Sequence, residues 1–421
     1  MAALAGSGAA AQEGAIPPKI DLKTALDMAR KNDAVYQAAV TNAALAREDR
    51  KQAKALLLPT LSYFNQYIYT QGNGIGGFVY VANDGVHVYN SQADVHEDLS
   101  FSKHSDYQRT AAMEAAAAAR RDIAARGLTA VVTQSYYTLV TAARKVTHAR
   151  QSLDDARKFV NITTDQERGG EAARADVVKA QMTEEQRKRD VQDMELAAAK
   201  AKIALAVLLF PDFRQDYEAT DDLEQAPALA PIEEVRTLAG RKNPEIREAV
   251  ASLKAESYGV ASARGGYLPF FSMDYFYGID ANTVAVFGQA GARQLGSSVQ
   301  GSLTIPLWNW GATSSRVRQA KLREDQARRD LSLTQRQLLA NLESYYQEAA
   351  SAQSQVDSLK RSLDLAAESL RLTLLRYEAG EATALEVTDA QASLAQARNG
   401  YDDGLNRYRI SLAALQTLTG I

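Results

Sequence analysis

The sequence predicts a mainly α-helical protein with a smaller β-strand portion, built from two copies of one plan. Three observations carry this prediction. The chain repeats itself at half its length, long proline-free stretches carry a heptad pattern, and two shorter stretches alternate apolar with polar residues. Each half is therefore predicted to contain, in order, a helix, a strand hairpin and two further helices.

The N-terminal stretch 1–19 is rich in alanine and glycine and passes through Ala9-Ala10-Ala11. This triplet resembles the small-residue site at which a signal peptide is cleaved. We interpret residues 1–19 as a signal-peptide remnant, and a flexible Ala/Gly terminus is the alternative.

Six collinear matches between the two halves lie 208 to 211 residues apart, which divides the chain into a first repeat over 20–210 and a second over 231–421. The segment 211–230 between them is an irregular connector, because the stretch from Pro211 to Pro231 holds three of the nine prolines. The matched pairs begin at Arg30 and Arg241, Leu58 and Leu268, Ala119 and Ala327, Ser135 and Ser344, Ser152 and Ser362, and Gly170 and Gly380.

Each repeat contains three predicted helices, and the long helix of each carries a heptad seam. From Leu338 to Leu370, apolar or small residues recur at spacings of four and three without interruption. Such a pattern is typical of helices that wind around each other in a left-handed coiled coil. The predicted helices span 21–57, 104–168 and 171–209 in the first repeat, and 231–266, 312–379 and 381–419 in the second.

The stretches 59–103 and 267–311 differ in chemistry and predict one strand hairpin each. They alternate apolar with polar residues, and the windows 59–110 and 267–310 hold 18 of the 31 aromatic residues. Both tryptophans, Trp308 and Trp310, follow the last strand, where a membrane barrel places its interfacial aromatics. A soluble sandwich would also alternate. Because four strands are too few to close a sheet, a membrane location requires several chains to share one barrel.

Composition excludes several classes of function. The net charge of −3 is evenly scattered, which argues against a nucleic-acid partner, and the absence of cysteine excludes a thiolate nucleophile. The four histidines are far apart, so we predict no metal site, no cofactor and no catalytic set. Gly72 to Gly77 satisfies a dinucleotide-binding pattern, but a strand pattern follows it, so we interpret it as a loop between strands.

The turns between the long and the returning helices are the most informative segments. Each contains glycine, which permits the left-handed backbone of a tight helix reversal. Each is followed by acidic residues, Asp176 in one half and Glu386 with Asp389 in the other. Glu386 and Asp389 are three residues apart and therefore share one helix face, so an oligomer would gather them into rings.

The stretch from Tyr377 to Gln391, with the half-length duplication and the Leu-Pro before each strand pair, resembles the TolC family of outer-membrane efflux proteins. The resemblance implies a homotrimer with a twelve-stranded barrel, four strands from each chain, and a long α-helical coiled-coil tunnel in the periplasm. It implies a passive exit duct in the outer membrane of a Gram-negative bacterium. Its partners would be outer-membrane lipid, a periplasmic adaptor protein and an inner-membrane pump of the RND or ABC type.

The resemblance also implies roles for individual residues. Glu386 and Asp389 would form the constriction of a gate, and Asp176, Tyr377 and Arg174 would link the hairpins that keep it closed. Arg174 enters this set because Ala382 stands where the family's prototype carries an arginine. The tips that dock the adaptor would be Arg168, Gly169, Gly170, Glu171, Gly380 and Glu381.

One other class of protein would share the heptad pattern. A coiled-coil scaffold outside the membrane needs long helices, but it has no use for aromatic strand hairpins. The cargo cannot be read from the sequence, because a passive duct exposes few residues that are specific to what passes through it.

Overall fold

The computed structural model describes residues 18–70, 87–288 and 291–420 of the chain. Most of the stretch interpreted as a signal-peptide remnant, and the glycine pattern at 72–77, lie outside these ranges. The chain forms two compact units, and each unit draws segments from both halves of the sequence. Unit 1 comprises residues up to 38, 122–243 and 336–421, whereas unit 2 comprises 39–121 and 244–335.

The elements of the second half follow the same order as those of the first, with nearly equal lengths. The first half contains β1 (Lys19–Ile20), α1 (Leu22–Asn32), α2 (Ala34–Ala55), β2 (Thr60–Tyr69), β3 (His87–Leu99), α3 (Phe101–Gly169) and α4 (Arg174–Leu209). The second half contains β4 (Glu218–Ala219), α5 (Ile232–Lys242), α6 (Pro244–Gly265), β5 (Phe270–Ala281), β6 (Leu295–Thr304), α7 (Ala312–Glu378) and α8 (Ala384–Thr419).

Two predicted helices are each broken into two. The prediction of one helix over 21–57 and one over 231–266 is wrong at Asp33 and Asn243, whose ψ angles of 119° and 122° are extended. Asn243 precedes Pro244, and the proline ring disfavours the helical conformation of the residue before it. The Asp33 carboxylate instead accepts a hydrogen bond from the backbone N–H of Tyr36 at 2.6 Å. Asp33 therefore caps the start of α2, at the position that corresponds to Asn243 in the second half.

The strands of unit 2 form one antiparallel sheet in the order β2-β3-β5-β6. Each predicted hairpin is present, and the pairing of β3 with β5 joins the two hairpins. Strands β2 and β6 each pair on one side only within the described part of the chain.

The register divides the sheet into two chemically different faces. Paired residues of antiparallel strands point to the same side, so the even-numbered residues of all four strands share one face and the odd-numbered residues share the other. The odd face is mostly apolar and carries Leu61, Tyr63, Tyr67, Tyr69, Tyr89, Val95, Phe271, Met273, Tyr275, Tyr277, Ile279, Val299 and Leu303. The even face is mostly polar.

Unit 1 packs its core around the connector between the repeats. The hydroxyl of Tyr136 in α3 donates hydrogen bonds to the carbonyls of Ile20 at 3.2 Å and Thr220 at 2.7 Å, which flank the parallel pairing of β1 with β4. Burial raises the pKa of Tyr136, so this donor stays protonated. The Arg144 guanidinium contacts Asp221 at 2.6 Å and the buried Asp402 of α8 at 3.3 Å. The connector is thereby fixed to both α3 and α8.

Among the described residues, none of the helices is both long and apolar enough to cross a membrane.

Unit 2 offers a direct test of the packing between α6 and α3. A Cβ atom on Gly265 would lie 2.4 Å from Oγ and 3.0 Å from the backbone nitrogen of Ser102. Gly265→Ala should therefore destabilise the protein by about 1–3 kcal/mol and lower its melting temperature. Gly240→Ala is the control, because nothing lies within 4 Å of a Cβ there and alanine favours the helix by about 0.5–1 kcal/mol. Equal effects of the two substitutions would contradict this account of the packing.

Candidate functional site

The apolar face of the sheet in unit 2 is exposed to an extent that a monomeric soluble protein rarely shows. Leu61 is 76% exposed and Val299 is 68% exposed, and the aromatic residues between them on the same face are also exposed. A contiguous apolar surface of this kind marks contact with lipid or with another protein. The face therefore constitutes the first candidate functional surface.

Trp308 and Trp310 lie in the segment between β6 and α7, beyond the end of the strand. Their side chains are exposed, and their rings meet edge to face with centroids 5.8 Å apart. The backbone at Trp310 has a φ of 56°, a left-handed conformation that is uncommon for a residue other than glycine. The pair is therefore exposed beyond the end of β6, and its interfacial role stays a prediction.

The second candidate surface is formed in unit 1 by the two turns between the long and returning helices, which we call the tips. Both end in the same hydrogen-bonded motif. At the first tip, Gly170 N–H donates to the Glu167 carbonyl and Glu171 N–H to the Gln166 carbonyl. At the second, Gly380 and Glu381 donate in the same way to Tyr377 and Arg376. The glycines have φ angles of 80° and 75°, which this helix ending requires.

The tips differ in how the returning helix begins. Helix α8 starts with a capping box, in which the Thr383 hydroxyl and the Glu386 carboxylate each accept a hydrogen bond from the other residue's backbone N–H. Helix α4 starts after Ala173, which has no side chain to cap it. A cap of this type contributes about 1 kcal/mol, so the start of α8 is held more firmly than the start of α4.

The two predicted gate residues lie in different environments. Glu386 serves as part of the cap and also lies 3.5 Å from the Arg376 guanidinium of its own hairpin. Arg376 in addition donates to the carbonyl of Glu381 at 3.0 Å. Asp389 lies one turn further along α8 and is exposed. The two carboxylates share a helix face, but Asp389 is the one that has no role in capping the helix.

Two of the three predicted linkage residues line a cleft of about 460 Å³ between the tips. Asp176 and Tyr377 both line this cleft. The Tyr377 ring is buried against Phe159, with centroids 5.1 Å apart, and its hydroxyl makes no hydrogen bond with the described residues. Burial, and then the negative charge of Asp176, raises the pKa of Tyr377. The charge and the hydroxyl are therefore near each other without a direct bond.

Arg174 points to its own hairpin instead of the other one. Its guanidinium lies 3.3 Å from the carboxylate of Glu167, and Arg168 likewise contacts Asp165 at 3.3 Å. Arg376, which the sequence analysis passed over, is the cation that contacts Glu386. Arg376 lies in the last turn of α7, four residues before Gly380. Basic residues are favourable at this end of a helix, and this pattern could have identified Arg376 from the sequence.

Comparisons with known proteins show what the chain as a whole is similar to. Residues 236–421 match the family model described as outer membrane efflux protein. The outer membrane protein OprJ of Pseudomonas aeruginosa is 25% identical over 73% of this chain, which spans 63% of OprJ. The alkaline protease secretion protein AprF of the same species is 22% identical over 94% of this chain and 83% of AprF.

A solved structure covers almost the whole chain. The Neisseria gonorrhoeae MtrE outer membrane channel in its open state superposes with a TM-score of 0.78 and 23% identity, over 95% of this chain and 88% of MtrE. The second half of the chain therefore matches the outer membrane efflux protein family, and the whole chain is similar to proteins of that kind. It is accordingly a protein of the Gram-negative outer membrane with a periplasmic portion, as the sequence analysis predicted.

The difference between the two tips can be measured directly. Thr383→Ala removes the cap of α8 and should cost about 1 kcal/mol locally. Amide hydrogen exchange at residues 384–388 should then accelerate about fivefold.

Thr373→Ala is the matched control, because the Thr373 hydroxyl bonds only to the Ser369 carbonyl on the exposed surface of α7. The reverse change, Ala173→Thr, should slow exchange at the start of α4. Exchange that is unaffected by Thr383→Ala would show that the capping box does not hold the second tip.

Proposed function

We propose that the protein is a trimeric outer-membrane channel that serves as the passive exit duct of a tripartite efflux or type I secretion system. Each chain contributes four strands to a twelve-stranded barrel and its long helices to a periplasmic tunnel. The helical tips gate the duct. The role is transport, without a chemical reaction on the cargo.

The exposed apolar face of the sheet is the observation that carries this proposal. Water does not solvate such a face well, whereas lipid does. A sheet in lipid must also satisfy every backbone N–H and C=O, which leaves no place for the free edges of β2 and β6. Pairing β6 of one copy with β2 of the next removes both edges.

A trimer fits the strand count. Four strands fall short of the roughly eight that the smallest common barrels use, and three copies supply twelve strands. The same exposed aromatic face argues against a coiled-coil scaffold outside the membrane, where it would promote aggregation.

The tips supply the gate and the docking surface of the proposed duct. Three copies of Glu386 and Asp389 would crowd six carboxylates at the constriction, with Arg376 offsetting part of the charge. Asp176 and Tyr377 would hold the hairpins together across the cleft, and Arg174 would brace the first hairpin. A periplasmic adaptor would dock on the exposed turns, whose residues are Arg168, Gly169, Gly170, Glu171, Gly380 and Glu381.

The cargo class stays open between two kinds of system. OprJ is named as an outer membrane protein, whereas AprF is named for the secretion of alkaline protease. An RND pump would accompany small-molecule efflux, and an ABC exporter would accompany protein secretion.

The lipid-facing role can be tested on one strand with neighbouring residues. Val299→Arg places a charge on the apolar face in the middle of β6 and should destabilise the inserted protein by about 2–4 kcal/mol. The trimer recovered from outer membranes should fall correspondingly.

Ser298→Arg is the matched control, because it introduces the same side chain on the opposite face. The native assembly in detergent should have three times the chain mass of 45.7 kDa. A monomer in detergent, or equal tolerance of both substitutions, would contradict the proposal.

The gate can be tested by charge. Glu386→Ala combined with Asp389→Ala should reduce the cation selectivity of channels in planar bilayers, because the like charges that attract cations are removed. Glu386→Gln with Asp389→Asn is the companion variant, since glutamine can preserve the capping box. Reversal potentials that match those of the parent channel would count against a gate at these residues.

The linkage between the hairpins can be tested by changing single side chains. Tyr377→Ala removes the phenol group together with the ring that packs on Phe159, and Asp176→Asn deletes the charge. Both changes should loosen the tips and raise single-channel conductance. If conductance stays low in both, the cleft residues do not hold the gate.

A further inference from the structure

We propose that the chain binds the head group of an anionic phospholipid where β6 passes into α7, with Trp308 on the apolar side of the site and Arg318 on its charged side. This inference rests on the proposed function and deepens it, because it assigns a chemical class to the lipid partner and names the residues that recognise it. The segment concerned, which we call the junction, comprises residues 305–321 and lies within unit 2.

Exposed apolar side chains continue past the end of β6 into the junction. Ile305 and Leu307 follow Leu303 of the strand and are exposed, Leu307 to 89%. Both tryptophans come directly after them and are exposed as well. The apolar surface that the proposed channel turns to lipid therefore extends to the start of α7.

A cavity of about 280 Å³ opens beside these side chains. Its walls are the turn at Gly266 and Tyr267, which follows α6, and the segment 306–311. Ser314 of α7 completes the lining, and none of the lining residues carries a charge. A charged ligand in this cavity would therefore need its counter-charge at the rim.

The rim carries that counter-charge. The Arg318 guanidinium donates a hydrogen bond to Oγ of Ser314 at 2.7 Å, which holds the cation beside the cavity. Ser314, Arg318 and Lys321 follow one another at spacings of four and three residues, so they share one face of α7. Both basic side chains are exposed, and neither has an ionic partner within the described ranges of the chain.

These positive charges do not stabilise the helix that carries them. The first turns of α7, residues 312–323, contain four basic residues and no acidic one. The N-terminal end of a helix has a partial positive charge, so cations placed there are unfavourable. An anion beside the junction offsets this cost, which is why we look for the partner among negatively charged molecules.

A phospholipid satisfies both the apolar and the charged part of the junction. In the proposed channel the long helices lie in the periplasm, so the junction lies level with the head groups of the periplasmic leaflet. A glycerophospholipid carries its phosphate next to apolar chains, and interfacial tryptophans lie at the same level. A basic residue near the surface favours anionic lipid by about 1 kcal/mol, or roughly fivefold. Free phosphate would pair with the guanidinium but would gain nothing from the apolar side chains.

The chain carries its own reporter for this site, because Trp308 and Trp310 are its two tryptophans. The full chain is reconstituted into phosphatidylcholine vesicles that contain a small fraction of either dibrominated phosphatidylglycerol or dibrominated phosphatidylcholine. Bromine quenches tryptophan fluorescence on contact, so quenching at equal bromine content measures which lipid occupies the junction. Phosphatidylglycerol should be preferred about tenfold, because two basic residues face the site.

Arg318→Gln combined with Lys321→Gln should lower this preference to about twofold or less. Arg316→Gln combined with Arg323→Gln is the matched control. It removes the same charge from the same turns of α7, but these two residues are seven apart and lie on the opposite face of the helix. The control should keep most of the preference. The single variants Arg318→Gln and Lys321→Gln should each give part of the decrease, and they keep the measurement possible if the double variant does not assemble.

The outcomes separate the inference from the proposed function. A preference that is lost in the first double variant and kept in the control supports the inference. Equal quenching by the two lipids in the parent protein, an equal loss in both double variants, or a preference that inorganic phosphate in the solution abolishes overturns it while the proposed function stands. A parent protein that forms no channels in planar bilayers overturns the proposed function, and the inference falls with it.

Discussion

The requirement that every backbone hydrogen-bonding group in lipid has a partner is the constraint on which the rest of this structure depends. In the four-stranded sheet, the inner strands β3 and β5 pair on both sides. Strands β2 and β6 each have one edge without a pairing strand within the described chain. An exposed apolar face makes lipid the favourable solvent, and lipid makes open edges costly. In the proposed trimer, association with further copies of the same chain would satisfy both conditions together.

The helical unit 1 differs in its contacts between the connector and the tips. Near the connector, Tyr136 and Arg144 fix an irregular segment through buried hydrogen bonds and ion pairs. At the tips, the two hairpins are separated by a polar cleft. The contrast between a capped α8 and an uncapped α4 places the less stable helix start in the first repeat, so the two halves of the duplication are not mechanically equivalent.

Charge is distributed by the same alternation that separates the faces of the sheet. A strand places successive side chains on opposite sides, so a shift of one residue would move Asp94 and Asp280 to the apolar face. Their present register instead places them with the polar residues. Asp274 contacts His96 and thereby joins β5 to β3, whereas Asp98 contacts Lys103 at the start of α3.

Sequence alone determined the order of elements, the positions of both hairpins and the turns at Gly170 and Gly380. These features depend on local rules of periodicity, of proline exclusion and of the left-handed conformation that glycine allows. The break before Pro244 was also open to local reasoning, because a proline disfavours the helical conformation of the residue before it, whereas the capping role of Asp33 gave no comparable signal.

Tertiary structure decided which hairpins pair and which partners the charged side chains take. The contact of Arg376 with Glu386, the turn of Arg174 toward Glu167 and the burial of Tyr377 on Phe159 all join residues through the folded backbone. Pairing of β3 with β5 joins segments about 180 residues apart, as in the contact between His96 and Asp274. Local propensity cannot specify such contacts, because their geometry exists only once the helices and strands have packed.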